Sequence, residues 1–167
     1  MVDPRLFNDC LLDLALQRSL TGFEEALKQM MALFQLTAWA CIFPPSLQAG
    51  GRPLFIANGV KTDGNLLTRA SHDGLASLGF ENQTDDTLIE TFAGELAPDP
   101  STRWRILRLT RDRRAELTIF LYRSHSSADF SREELEMLGR VGQHLDRCFL
   151  LLAKQQEQEF MAGLFRL

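Results

Sequence analysis

Apolar positions along the chain change their spacing several times, and each change marks an element. In RLFNDCLLDLALQRS, residues 5–19, Leu6, Leu12, Leu16 and the following Leu20 recur at helical spacing behind Pro4, which suits a helix start. Thr21-Gly-Phe-Glu24 has the form of a capping box opening a second helix, FEEALKQMMALFQ. Its stripe is Leu27, Met30, Met31 and Phe34, with the methionines suited to an irregular core gap. The spacing then tightens. LTAWACIFPP is a nearly continuous apolar run closed by prolines and PLFIANGV follows across SLQAGGRP, so residues 37–43 and 53–58 are expected to pair as an antiparallel hairpin.

Between Lys61 and Pro100 the pattern loosens. NLLTRASHDGLASLG and DDTLIETFAGEL carry interrupted helical periodicity, which predicts short helices and loops. RWRILRLT and ELTIFLYR, separated by the charged RDRRA, form a second predicted hairpin with Leu117, Ile119 and Leu121 on one face. After the polar SHSSAD, Ser131 and Glu134 make a capping box, and Phe130 is placed to staple onto Leu135. The long helix that follows has a stripe at Leu135, Leu138, Gly142, Leu145, Phe149 and Leu152, flanked by Met137, Val141, Cys148 and Leu151. That apolar width exceeds what one sheet face needs. Leu138, Val141, Leu145, Cys148 and Leu152 are therefore the expected interface of a homodimer.

The resulting order is helix, helix, strand, strand, an irregular middle, strand, strand, long helix: an α+β domain with a central antiparallel sheet flanked by N-terminal helices and a long C-terminal helix. Helices from both chain ends are expected side by side on one face of the sheet.

Composition narrows the function classes. With 167 residues, 45% apolar and 24% charged, the chain has the make-up of one globular domain, able to bury roughly 70% of its unfolded surface. A net charge of −4 gives no electrostatic basis for direct nucleic-acid binding. Apolar runs such as CFLLLA are far shorter than the roughly 20 residues of a membrane span, and MVDPRLFNDC lacks a signal-peptide pattern. A cytoplasmic protein that makes no membrane contact is the expectation.

Candidate chemistry is sparse. Arg103, Arg105, Arg108, Arg111, Arg113 and Arg114 crowd one hairpin and would grip a phosphate or carboxylate, or else simply solvate an edge strand. His72, His125 and His144 share no ligand spacing on one element, so no metal site is expected. Of the three cysteines, Cys41 falls in an apolar strand as a small hydrophobe or a redox sensor, and Cys10 and Cys148 would approach each other if the terminal helices pack. Ser71, His72 and Asp73 are adjacent but lack a nucleophile-elbow context. No catalytic residue and no cofactor are named, and the chain is expected not to be an enzyme.

Three stretches carry a family resemblance: the helix pair leading into LTAWACIF, the hairpin ending ELTIFLYR, and ADFSREELEMLGRVGQHLDRCFLLL, with His144 and Leu145 at the His-Leu pair of its closing signature. Over most of its length the chain resembles a GAF or PAS-like sensory domain of the kind found N-terminal in bacterial LuxR-type transcriptional regulators. The resemblance implies a sensor domain over 1–153 and, over 154–167, a polar helical extension or linker toward an output domain. It also implies a small-molecule pocket between sheet and middle helices. Trp39, Phe55, Phe92, Trp104 and Phe120, apolar residues on predicted elements, are its candidate walls. A ligand-free interaction module and a small redox enzyme with a reactive cysteine are the alternative uses of such a scaffold.

Overall fold

The computed structural model describes residues 2–43, 54–61, 86–111 and 114–165. Helices α1 (Pro4–Leu16) and α2 (Leu20–Ala32) precede strands β1 (Ala38–Phe43) and β2 (Leu54–Asn58). Helix α3 (Asp86–Leu96), strands β3 (Arg103–Arg111) and β4 (Arg114–Arg123) and helix α4 (Arg132–Phe165) complete the order. The fold is α+β, with a four-stranded antiparallel sheet in the order β2-β1-β4-β3. Both expected hairpins are present. The strands of the second run on through Arg111 and Arg114, deeper into the charged segment than the apolar pattern indicates. The NLLTRASHDGLASLG stretch and the triplet at 71–73 lie outside the described residues.

The period of two along each strand divides the interior into two cores. Trp39, Cys41 and Phe43 of β1 and Leu117, Ile119 and Leu121 of β4 face α1, α2 and α4. Ala38, Ala40 and Ile42 of β1 and Phe120 and Tyr122 of β4 face the other way, onto Phe92, Ala93 and Leu96 of α3. Burial on both sides explains why β1 reads as unbroken apolar sequence. The Tyr122 hydroxyl donates to the Ala93 carbonyl at 2.7 Å, fastening α3 to the sheet.

The terminal helices do share one sheet face. His144 Nε2 lies 3.0 Å from the Leu11 carbonyl, which can only accept, so this ring nitrogen carries the hydrogen. Val2 and Met137 share a cavity wall, so α1 and α4 run parallel. Phe7 meets Phe34 edge-on at 6.2 Å, which sets α2 antiparallel to α1. Gly142 lets α4 lie close on the sheet, since a Cβ there would come within 3.3 Å of Ile119 Cδ1 and 3.4 Å of Leu109 Cδ1.

Two expectations are corrected at the N-terminus. Helix α2 begins at Leu20 under an Ser19 cap whose hydroxyl accepts from the Gly22 amide at 3.1 Å. Thr21 is thus already inside the helix, and its pairing with Glu24 does not serve as the cap. In α1 the buried residues are Phe7 and Leu14, with Cys10 and Leu11 packed beside them, whereas Leu6, Leu12 and Leu16 are exposed. Apolar residues lie all round this helix, so spacing alone does not select its inner face.

Candidate functional site

Strand β4 ends on an arginine directed into the protein. Arg123 is 4% exposed, a costly position for a cation unless its hydrogens are matched. Nη1 donates to Glu134 Oε1 at 3.3 Å and to the Ala128 carbonyl at 3.4 Å, while Nη2 donates to Glu134 Oε2 and to the Phe34 carbonyl. The guanidinium carbon stands 4.2 Å from the centre of the Phe130 ring, adding a cation–π contact. One side chain therefore joins the end of β4, the turn after α2, the 124–131 loop and the first turn of α4.

Glu134 is shared between two tasks. Its Oε1 accepts from the Ser131 amide at 3.1 Å and the Ser131 hydroxyl accepts from the Glu134 amide at 3.1 Å, the capping box expected from sequence. Phe130, set to staple onto Leu135, is buried in the same core as Leu135. Hydrogen bonds from Arg123, reinforced by the Ser131 amide and the arginine charge, hold the Glu134 carboxyl down to about 2.

A cavity of about 420 Å³ opens beside this pair. Val2, Leu33 and Met137 form an apolar side, and Gln35, Ser127 and Ser131 a polar one. Arg123, Glu133 and Glu134 contribute the charges, one cation to two carboxylates. The volume falls within the usual range for small-molecule sites. Gln35 reaches the rim in a left-handed conformation with φ 54°, where the chain turns out of α2.

The candidate pocket residues do not all converge. Phe55, Phe92, Trp104 and Phe120 belong to the α3 side of the sheet, with Phe92 and Phe120 ring centres 5.7 Å apart. Trp39 faces the helical side, because it sits one residue out of phase with Ala38 and Ala40. None of the five borders the 420 Å³ cavity.

The expected dimer residues lie mostly inside the single chain. Leu138, Val141, Leu145 and Leu152 are at most 3% exposed within the single chain, and Cys148 is half-buried. The sheet and α1 absorb the apolar width of α4 that sequence had left for a partner. Among the described residues, the large apolar side chains left exposed are Leu6, Leu12 and Leu16 of α1 and Leu151, Met161 and Leu164 of α4.

The other candidates find local roles. Arg103 donates to His125, Arg105 pairs with Asp129 at 3.0 Å, and Arg108 is half-buried opposite Thr118. Arg113 lies outside the described residues, as does His72. Burial raises the thiols of Cys10, Cys41 and Cys148 above their ordinary range, which opposes thiolate formation. Among the described residues, no three of His, Cys, Asp and Glu converge as metal ligands, and no helix is long and apolar enough to cross a membrane.

Sequence reasoning missed Arg123 as a site residue, treating it as the end of a strand. The available signal was a lone cation closing the apolar run LTIFLY, eleven residues before a cap glutamate. No protein-family model matches the chain, and no curated protein matches it in sequence.

Proposed function

We propose that this chain is a small-molecule-sensing regulatory domain of the GAF/PAS-like kind, working as a cytoplasmic homodimer in bacterial signalling or transcription regulation. One observation carries the reading: the cavity shares its walls with the Arg123–Glu134 pair that anchors the first turn of α4. An occupant that binds better to one arrangement of this pair than to another shifts α4, and that difference in affinity is the whole of the driving force. With 34 residues, α4 extends about 50 Å and transmits the shift along its axis.

The dimer uses the outer surfaces of α1 and α4. Leu12 and Leu16 are exposed on α1, and Leu151 lies seven residues beyond His144 on the α4 stripe that meets α1. Exposed Asp9 near these leucines and exposed Arg147 one turn before Leu151 suit an isologous pairing of α1 with the α4 of a second copy. Aromatic filling of the α3 side by Phe92 and Phe120 favours a second reading, in which the core holds no ligand and the domain serves only as a dimerisation module.

Native mass spectrometry of the protein purified without additives separates these readings. A dimer retaining a defined small-molecule mass, released together with faster amide exchange in the first turns of α4, supports the sensor. A dimer whose α4 exchange is unmoved by any retained or added metabolite fraction supports the interaction module, and a monomer removes the dimer from both.

A further inference from the structure

Three arginines form a row at one end of the sheet. Arg103 of β3 is the register partner of Arg123 of β4, and Arg105 lies two residues along β3 on the same face. Like charges directly opposite on neighbouring strands are destabilising, so the row calls for negative charge. Two carboxylates supply part of it. Glu134 is spent on Arg123, and Asp129 accepts from Arg105 through Oδ2 and from the Phe130 amide through Oδ1. Among the described residues, Arg103 bonds to no carboxylate: its Nε donates to His125 Nδ1 at 3.2 Å and its Nη2 to the His125 carbonyl at 3.0 Å. A ring nitrogen that accepts belongs to a neutral imidazole, so both of these acceptors are uncharged. The row therefore keeps one positive charge in excess, at the end formed by half-buried Arg103 and exposed Arg105.

We propose that Arg103 and Arg105 bind a phosphate group, free or as the monoester of a small molecule. Of the five N–H groups on each guanidinium, Arg103 gives two to the 124–131 loop and Arg105 one, so the loop contacts hold both side chains in place while donors remain. Residues two apart on a strand stand about 6.7 Å apart, a gap that a phosphate held by hydrogen bonds of about 2.8 Å can span. A carboxylate is satisfied by a single guanidinium fork, whereas the terminal oxygens of a phosphate take donors from two. None of Arg103, Arg105, His125 and Asp129 borders the 420 Å³ cavity, so this site is separate from the effector site and holds whether or not that cavity is occupied.

The test is an NMR titration of the full chain at about pH 8, where a phosphate group carries nearly two negative charges. Inorganic phosphate, ethyl phosphate and acetate are compared at an ionic strength matched with sodium chloride. Phosphate is expected to shift the Nε–Hε resonances of Arg103 and Arg105 saturably and to bind about tenfold more tightly than acetate, the difference of one hydrogen bond to a charged donor. Arg103→Gln and Arg105→Gln are each expected to weaken phosphate binding by about tenfold with an unchanged circular dichroism spectrum. Arg132→Gln, at an exposed arginine of α4, is expected to leave it unchanged. Ethyl phosphate binding at least as tightly as inorganic phosphate supports a monoester as the ligand, and weaker binding supports the free ion. Absence of a saturable phosphate shift, equal binding of acetate, or phosphate binding that survives both glutamine substitutions overturns the inference. The sensor reading keeps its own test in the coupling between retained mass and α4 exchange.

Discussion

Arg123 and Glu134 meet as a two-pronged ion pair, Nη1 to Oε1 at 3.3 Å and Nη2 to Oε2 at 2.5 Å, across the gap between the end of the sheet and the start of the longest helix. The arginine side chain is 5% exposed and the glutamate 22%, so solvent screens the pair poorly. Losing one partner therefore strands a buried charge rather than removing a surface contact.

Glu134→Gln is expected to cost about 3 kcal/mol, read as a lower Tm and denaturation midpoint. The pH dependence follows from the depressed carboxyl. A group at 4.5 in the unfolded chain and about 2 in the folded one stabilises the fold fully above 4.5, and that contribution disappears as pH falls toward 2. The contribution is about 3 kcal/mol. Wild-type protein should thus lose stability between those pH values more steeply than Glu134→Gln, and parallel acid titrations by circular dichroism would remove the assignment.

The start of α2 separates two caps. Ser19→Ala is expected to cost about 1 kcal/mol, because the Gly22 amide loses its acceptor, whereas Thr21→Ala should stay within about 0.5 kcal/mol of wild type. Urea denaturation of the two variants measures the difference, and the reverse order would restore the Thr21 box.

Two glycines in α4 should respond differently to a methyl group. A Cβ at Gly139 meets nothing within 4 Å, so Gly139→Ala is expected to stabilise by about 1 kcal/mol through helix propensity. At Gly142 the same Cβ presses on Ile119 and Leu109, which cancels that gain, and Gly142→Val should destabilise by about 1–3 kcal/mol. Thermal melts of the three variants check the order.

For the proposed dimer, Leu16→Glu and Leu151→Glu are expected to yield folded monomers in light scattering, since both leucines are exposed in the single chain. Leu145→Ala should instead cost about 2–5 kcal/mol without selectively dissociating the dimer, because that side chain is fully buried. Dimers that persist through both glutamate substitutions would place the interface elsewhere.

The elements were largely legible from local signals. Strand alternation, the two hairpins and the Ser131–Glu134 box each depend on residues close in sequence, and the structure contains them all. The site was less so. Glu134 was recognisable as a cap, yet its bond to Arg123 crosses from one element to another and also recruits the Phe34 carbonyl, 89 residues away. Trp39 and Phe120 share apolar character, and only the register Ala40↔Phe120 reveals that they face opposite cores.

Sequence by itself determined the periodicities, hence the helices, the strands and the α+β class, because side-chain spacing along one element sets which positions share a face. Tertiary structure decided which apolar faces are spent. The stripe on α4 is consumed by the sheet and by α1, and α1 turns Phe7 and Leu14 inward while Leu12 and Leu16 face out. Where apolar residues surround a helix, the choice of face depends on the competing surfaces packed against it, and those are long-range contacts that no local pattern encodes.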